Sequence, residues 1–259
     1  MDLKLNDKVI IVTGGSKGIG NGICNVLASE GAIPVIVGRN KENILDAVKI
    51  IENNGGKAFY AFAELTKPED CKQAVERTIE KFGRIDGLVN NAGVNDGIGL
   101  ENGSYEGFIE SIHKNLVHYY LMAHHALPEL KKSKGAIVNI GSKTSVTGQG
   151  NTSGYAASNG GRNALTRDWA VELLPYSIRV NAVIVAECYT PLYERWIKTF
   201  SNPEEKLKSI TQKVPFENRM TTAEEIANTV AFLLSEKSSH TTGQLVFVDG
   251  GYTHLDRAL

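Results

Sequence analysis

The glycine-rich stretch at residues 13–20 constrains the fold of this chain more than any other. It reads Thr-Gly-Gly-Ser-Lys-Gly-Ile-Gly and follows a short β-branched apolar run at residues 8–12. After it, Ile23, Val26 and Leu27 recur at helical spacing. Glycines between a strand and a helix let the backbone pass close to a diphosphate, while the helix N-terminus supplies amide donors. This glycine loop therefore predicts a dinucleotide site, with an ordinary tight loop as the alternative.

Short apolar runs alternate with helix-like segments along the rest of the chain. The predicted strands are residues 8–12, 33–37, 57–63, 87–90, 135–140, 178–185 and 244–248. The predicted helices are residues 21–30, 41–54, 66–82, 104–131, 155–174 and 222–234, with one or two short helices in 191–213. Continuous apolar strands joined by helices are typical of a parallel sheet that is covered on both faces. We therefore predict a single α/β domain over residues 1–259.

Composition and charge exclude several classes of function. The chain has 28 basic and 29 acidic residues, which argues against a nucleic-acid partner. The three cysteines are too scattered for a disulfide framework or a zinc motif and favour a reducing compartment. No apolar run is long enough to span a membrane, and the N-terminus lacks a signal core, so we expect a cytoplasmic protein. His118, His124 and His125 have no metal-ligand spacing, and we predict no metal site.

Four further motifs combine with the glycine loop. They are Asn-Asn-Ala-Gly at residues 90–93, Lys-Asn at 114–115, Ile-Gly-Ser at 140–142 and Tyr-Ala-Ala-Ser-Asn at 155–159. In this order and spacing they resemble the short-chain dehydrogenase/reductase family over essentially the whole chain. The resemblance implies a nicotinamide cofactor on a Rossmann-type, doubly wound, seven-stranded parallel sheet. It also implies a homotetramer whose interface is formed by the two long helices.

The same resemblance assigns roles to three residues. Tyr155 corresponds to the general acid/base, Ser142 to the hydroxyl that orients the substrate, and Asn115 to the residue that organises a proton-relay water. The chemistry is reasonable on its own terms, because oxidation of an alcohol needs a base for the hydroxyl proton while hydride leaves for the nicotinamide. A phenol has a pKa of about 10, so it needs a nearby positive charge to act at neutral pH.

Asn159 departs from the family, which has a lysine four residues after the tyrosine. The amide can still hydrogen-bond the nicotinamide ribose, but it supplies no charge. Three interpretations remain open: an engineered knock-out, a natural residue whose loss of charge is compensated elsewhere, or a non-catalytic binder. We expect low activity and predict that Asn159→Lys raises it strongly. Lys143 is interpreted as a solvated loop charge, and Arg162 could equally be a site residue or a helix-surface charge.

Charge at the end of the second predicted strand bears on the choice of cofactor. Members of the family that use NAD place an acid there, whereas this chain has Gly38 and Arg39, with Lys17 in the glycine loop. Two cations suit a 2′-phosphate, so NADP is predicted and NAD is the alternative. The predicted cofactor-binding residues are Gly14, Ser16, Lys17, Gly18, Ile19, Gly20, Arg39, Glu64, Leu65, Asn91, Ala92, Gly93, Tyr155, Asn159 and Thr190.

The segment at about residues 186–215 is predicted to be a substrate loop. Its polar and aromatic side chains suit a polyol better than an acyl chain or a steroid, because hydroxyls need fixed hydrogen-bond partners. The predicted substrate-binding residues are Asn95, Ser142, Gln149, Asn151, Tyr155, Glu187, Arg195 and Trp196. With the stretch 142–153 and the tail 250–259, the loop resembles the L-fucose (aldose) dehydrogenase branch, which oxidises a sugar to a lactone. A 3-oxoacyl or ketone reductase and a non-catalytic NADP-binding protein are the alternatives.

Overall fold

The computed structural model describes residues 1–256 and joins seven parallel strands in one sheet. The strands are β1 Val9–Thr13, β2 Ile33–Gly38, β3 Phe59–Phe62, β4 Gly87–Asn90, β5 Ala136–Ser142, β6 Arg179–Val185 and β7 Leu245–Val248. Their order is β3-β2-β1-β4-β5-β6-β7, so the chain changes direction across the sheet between β1 and β4. Ile11 of β1 lies between Val35 of β2 and Leu88 of β4. The predicted Rossmann-type fold is confirmed.

Helices cover both faces of this sheet. They are α1 Gly18–Ser29, α2 Lys41–Asn53, α3 Pro68–Phe82, α4 Tyr105–Ile112, α5 His118–Ser133, α6 Ser153–Glu172, α7 Pro191–Ile197, α8 Pro203–Thr211 and α9 Ala223–Leu234. Alternate residues of β1 point to opposite faces, as the period of a strand requires. Ile10 packs in a core with residues of α1, α2 and α9, and Ile11 in a second core with residues of α3, α5 and α6. No helix among residues 1–256 is both long and apolar enough to cross a membrane.

The structure differs from the sequence-based prediction at residues 104–131, which are not one helix. A π-helical turn at His113–Val117 separates α4 from α5. The side chain of Asn115 lies at the interruption: its amide nitrogen donates to the carbonyls of Ser111, one turn back in α4, and of Val94, and its amide oxygen accepts from the Val94 amide. A π turn adds a residue to the helical ring and often marks a functional site.

Candidate active site

A cleft of about 1440 Å³ lies at the carboxyl ends of the strands, next to the change of direction between β1 and β4. Doubly wound sheets bind their ligands at this position. Seventeen of the predicted site residues line it: Gly14, Ser16, Lys17, Gly18, Ile19, Gly20, Arg39, Glu64, Leu65, Asn91, Ala92, Gly93, Asn95, Ser142, Tyr155, Thr190 and Arg195. The structure thus brings together most of the residues that the sequence singled out.

The glycine loop is shaped to hold a diphosphate. Gly14 and Gly18 have φ values of +66° and +56°, which glycine adopts without strain. A Cβ atom on Gly20 would lie 2.3 Å from the Gly14 carbonyl oxygen, so the loop can close this tightly only with glycine there. No side chain in the described part of the chain caps the N-terminus of α1 at Lys17. The amides of the first turn of α1 are thus open to a phosphate, and the residues present fit a nicotinamide dinucleotide.

Asn91 and Thr13 join the end of β4 to the glycine loop. The Asn91 side-chain amide donates to the Thr13 carbonyl at 2.8 Å, and the Thr13 hydroxyl accepts from the amides of Asn91 and Ala92 at 2.8 and 3.1 Å. A Cβ on Gly18 would lie 3.2 Å from Thr190 Cγ2, which places Thr190 over the loop from the opposite side. The loop and the start of α7 therefore face each other across the cleft.

Arg39 and Glu64 form an ion pair at the other end of the cleft. Arg39 Nη1 lies 3.1 Å from Glu64 Oε2, although the Arg39 side chain is largely exposed. Burial alone would raise the pKa of the Glu64 carboxyl, but hydrogen bonds from Arg39 and Thr66 outweigh it and lower that pKa. The ends of β2 and β3 thus present a cation together with an acid, where the sequence indicated cations without an acid.

Ser142 and Tyr155 present their hydroxyl groups to the cleft from the end of β5 and the first turns of α6. Ser142 Oγ accepts hydrogen bonds from the amide and hydroxyl of Thr144, at 3.3 and 3.1 Å. Among residues 1–256 its own proton has no acceptor, so it remains available for a ligand oxygen. The Tyr155 side chain is half-buried on the cleft wall.

Behind Tyr155 lies a buried group of three side chains, Asn115, Asn159 and Arg162. Arg162 is 2% exposed, so the interpretation of it as a helix-surface charge is wrong. Its Nε donates to the Asn115 carbonyl at 2.7 Å, and its Nη1 donates to the Ile140 carbonyl and to Asn159 Oδ1 at 3.1 and 3.0 Å. The Asn115 carbonyl that the π turn presents is therefore bonded to the guanidinium.

The Arg162 cation influences its buried neighbours. Burial and the Arg162 charge lower the pKa of His118 to about 4, while a hydrogen bond to the Lys114 carbonyl opposes the shift. Burial raises the pKa of Tyr119, although Arg162, whose guanidinium carbon lies 4.3 Å from the centroid of that ring, acts in the opposite direction. Both side chains are thus neutral around pH 7.

Lys143 and Glu187 form a second ion pair next to Ser142, and it is much less exposed than the Arg39–Glu64 pair. The interpretation of Lys143 as a solvated loop charge is wrong, because the side chain is paired and its Nζ lies 3.9 Å from the centroid of the Tyr252 ring. Burial and the neighbouring Glu187 carboxylate raise the pKa of Tyr193, which lines the cleft. The tail therefore packs on its own chain at Tyr252, whereas its predicted last residues, Arg257, Ala258 and Leu259, lie outside the described residues.

Six of the predicted site residues do not line the cleft within residues 1–256: Asn115, Gln149, Asn151, Asn159, Glu187 and Trp196. Asn115, Asn159 and Glu187 lie behind residues that do. Gln149 and Asn151 are exposed, and Trp196 contacts Tyr193 and Phe200 edge to face. The predicted site residues do not include Arg162, although it lines the cleft. Its spacing of seven residues, or two turns, from Tyr155 was the signal for a shared helix face.

Comparison with known proteins agrees with the geometry. A family model described as Enoyl-(Acyl carrier protein) reductase matches residues 14–253. The chain is 32% identical over 252 residues to L-fucose dehydrogenase of Bos taurus, covering 97% of this chain and 91% of the relative. It is 34% identical over 250 residues to a 3-oxoacyl-[acyl-carrier-protein] reductase of Thermotoga maritima, covering 96% and 99%.

A solved structure of Cj0485 dehydrogenase superimposes with a TM-score of 0.95 at 47% sequence identity, over 100% of this chain and 99% of that one. The family model and these relatives span almost the whole chain, and the site residues occupy one cleft of the expected fold. The chain is therefore a member of the short-chain dehydrogenase/reductase family, oxidoreductases that act on CH–OH groups with a nicotinamide cofactor.

Proposed function

We propose that this protein oxidises a hydroxyl of a sugar, with an L-fucose-like aldose as substrate and a lactone as product. The observation that carries the proposal is the placement of the Tyr155 and Ser142 hydroxyls in the cleft that also contains the glycine loop. Oxidation breaks the C–H and O–H bonds of the alcohol and forms a C=O bond. The hydrogen on carbon leaves with both electrons as hydride, and the hydroxyl hydrogen leaves as a proton.

A bound nicotinamide supplies the hydride acceptor. Ser142 donates a hydrogen bond to the substrate oxygen, which fixes the alcohol against Tyr155. Tyr155 accepts the hydroxyl proton and returns it when the reaction runs in the direction of reduction. The glycine loop and Asn91–Gly93 would hold the dinucleotide in the cleft that also contains Ser142 and Tyr155.

Polar side chains around the substrate end of the cleft support a sugar. Asn95, Asp96, Arg195 and Tyr193 line it, and the Lys143–Glu187 pair lies directly behind Ser142. Hydroxyls of a sugar need donors and acceptors in fixed positions, whereas an acyl chain needs an apolar wall. The similarity to an L-fucose dehydrogenase agrees with this choice.

NADP is the proposed cofactor, because Lys17 and Arg39 both line the adenosine end of the cleft. A 2′-phosphate would take the Arg39 guanidinium as a charge-assisted partner. Glu64 competes for the same guanidinium, which makes NAD the alternative.

A 3-oxoacyl or ketone reductase is the second candidate, favoured by the similarity to the Thermotoga maritima enzyme. The two candidates differ at the substrate alone, since both need the same tyrosine and serine. A non-catalytic protein that binds the cofactor is the third possibility.

Steady-state rates on a substrate panel separate these functions. The panel contains L-fucose, other aldoses, cyclohexanol and a 3-oxoacyl thioester, each with NADP(H) and NAD(H), and Tyr155→Phe is the matched control. We expect the highest kcat/KM with an aldose. A preference for the thioester would establish the second candidate, and cofactor binding without turnover of any compound would establish the third.

A further inference from the structure

We infer that the guanidinium of Arg162 takes the place of the missing lysine charge behind Tyr155, and that Asn159 is the side chain that holds it there. Arg162 is then a positioning residue, which acts on the substrate through Tyr155. The inference rests on the proposed hydride transfer but not on the identity of the alcohol.

Burial and fixed geometry make Arg162 a suitable source of charge. The guanidinium donates three hydrogen bonds of 2.7 to 3.1 Å. The acceptors are the Asn115 carbonyl in the π turn, the Ile140 carbonyl in β5 and the Asn159 side-chain oxygen in α6. All of these acceptors are neutral oxygens. Within residues 1–256 no carboxylate forms an ion pair with Arg162, so its charge is not cancelled locally.

The guanidinium lines the same cleft as Tyr155 and lies beside its ring. Its carbon is 5.9 Å from the centroid of the Tyr155 ring. A Cβ on Gly93 would lie 2.8 Å from Nη2, so the group reaches the Asn-Asn-Ala-Gly segment on the nicotinamide side. In general a fixed cation beside a phenol favours the phenolate, which is the form that accepts a proton from the alcohol.

Asn159 connects the two residues. Its amide nitrogen donates to the Tyr155 carbonyl at 2.9 Å, and its oxygen accepts from Arg162 at 3.0 Å. A lysine at 159 would remove this acceptor and bury a second cation beside the guanidinium. On this inference Asn159→Lys brings no gain while Arg162 is present, in contrast to the gain predicted from the sequence.

The remaining groups about Tyr155 do not supply this charge. Tyr119 interacts with Tyr155 from α5, and His118, Lys114 and Tyr193 line the same cleft. The Lys143–Glu187 pair joins the turn after β5 to the loop after β6. His118 has a pKa of about 4 and is neutral, and the pKa values of Tyr119 and Tyr193 are raised. Lys114 is paired with Glu110 at 2.5 Å, and Lys143 is paired with Glu187.

The test is the pH dependence of kcat/KM for alcohol oxidation, measured with the best substrate of the panel. Arg162→Gln is expected to lower kcat/KM at neutral pH roughly ten-fold or more, with the deficit shrinking as the pH rises. A purely structural lesion would not recover at high pH. Arg162→Lys retains a charge and is expected to recover part of the loss, while Asn159→Lys alone is expected to bring no gain.

The double variant Asn159→Lys/Arg162→Gln moves the cation to position 159 and is expected to exceed Arg162→Gln. Thermal unfolding and NADP affinity are measured for each variant to establish that it is folded and binds the cofactor. If Arg162→Gln does not fold, the comparison is made with Arg162→Lys and Asn159→Lys. A folded Arg162→Gln with the wild-type pH profile, or an Asn159→Lys variant faster than the wild type, would overturn the inference.

Failure of the proposed function gives a different result. If the wild type oxidises another alcohol and no aldose, the sugar proposal fails and the same variants are compared on that alcohol. If the wild type turns over nothing on the panel, Arg162 does not support the reaction and the inference falls with it.

Discussion

Arg39 and Glu64 show how the choice of cofactor depends on two side chains at once. A guanidinium next to a carboxylate can bind a 2′-phosphate if the phosphate displaces the carboxylate, or it can leave that carboxylate to accept from a ribose diol. The ion pair measures 3.1 Å, and the Arg39 side chain is largely exposed, so a phosphate can reach the guanidinium from solvent.

Replacing Arg39 and replacing Glu64 should shift the preference for NADP over NAD in opposite directions. Arg39→Ala is expected to lower kcat/KM for NADP roughly ten- to a hundred-fold, because a hydrogen bond to a charged group contributes about 1.5–3 kcal/mol, and to leave NAD little changed. Glu64→Gln frees Arg39 and is expected to raise the NADP-to-NAD ratio. The measurement is kcat/KM with each cofactor; an unchanged ratio in Arg39→Ala would contradict the NADP proposal.

The sequence was least informative about the partners and the burial of individual charged side chains. Arg39 and Glu64 are 25 residues apart, and Lys143 and Glu187 are 44 apart, so neither pair could be inferred without the fold. Lys143 and Arg162 looked like surface charges because charged side chains usually are exposed. Their burial follows from partners that other elements supply.

At the scale of elements, we propose that cofactor binding depends on the backbone conformation of the glycine loop. Gly20→Ala would place a methyl group against the Gly14 carbonyl and the Asn91 side chain, at 2.3 and 2.5 Å, and the carbonyl is backbone that cannot swing away. We expect a loss of NADP affinity of roughly ten-fold or more as the loop opens. Gly160→Ala in α6 is the control.

Gly160 has open space around the position of a Cβ, so its replacement should be neutral or stabilising by up to about 1 kcal/mol. Cofactor titration and thermal unfolding measure both effects. Equal NADP affinity in Gly20→Ala and wild type would show that the loop does not hold the dinucleotide.

His118, the first residue of α5 after the π turn, makes stability depend on pH. Its pKa is about 4 in the folded chain against 6.5 in an ordinary histidine, so the unfolded chain binds more protons between these values. This contribution to stability is complete above about pH 6.5 and falls as the pH drops toward 4, by up to about 3 kcal/mol.

His118→Gln should remove that part of the pH dependence. The comparison is urea unfolding near pH 7 and near pH 4.5, with His124→Gln, at an exposed position of the same helix, as the control. A His118→Gln variant that loses as much stability between the two pH values as the wild type would refute the assignment.

The long predicted helix at residues 104–131 illustrates the limit of periodicity. Its apolar spacing is helical throughout, and both α4 and α5 are where that spacing places them. The π turn coincides instead with two hydrogen bonds between Asn115 and Val94, one donated by each residue, and Val94 lies on the loop after β4. The local apolar spacing predicts the helices. The interruption coincides with a contact between Asn115 and Val94, which are 21 residues apart in the sequence.

For the molecule as a whole, the alternation of apolar strands and amphipathic helices was sufficient to predict the sheet and both covering layers. The place of the cleft followed from the sheet, since parallel strands bring their carboxyl ends to one edge. The substrate was not determined in the same way, because the polar wall is built from the loop after β6, the end of β5 and the tail together.

The oligomeric state also belongs to the whole molecule. We propose a homotetramer whose interface is formed by α4, α5 and α6. Apolar side chains are exposed on these helices, among them Ile109, Tyr120 and Val171. Val171→Glu is expected to lower the molar mass in light scattering from about four times 28.1 kDa, because a buried unpaired charge opposes association. Ile50→Glu, at an exposed apolar position of α2, should leave the mass unchanged; a monomeric wild type would contradict the proposal.

We propose that the protein oxidises a sugar hydroxyl in this cleft, with Tyr155 as the proton acceptor. The most direct measurement is the initial rate at which the wild type and Tyr155→Phe reduce NADP in the presence of L-fucose. We predict saturable turnover by the wild type, a rate roughly a hundred-fold or more lower in Tyr155→Phe, and the same NADP affinity in both. No turnover of L-fucose by folded wild type with NADP bound, or equal rates in the two proteins, would contradict it.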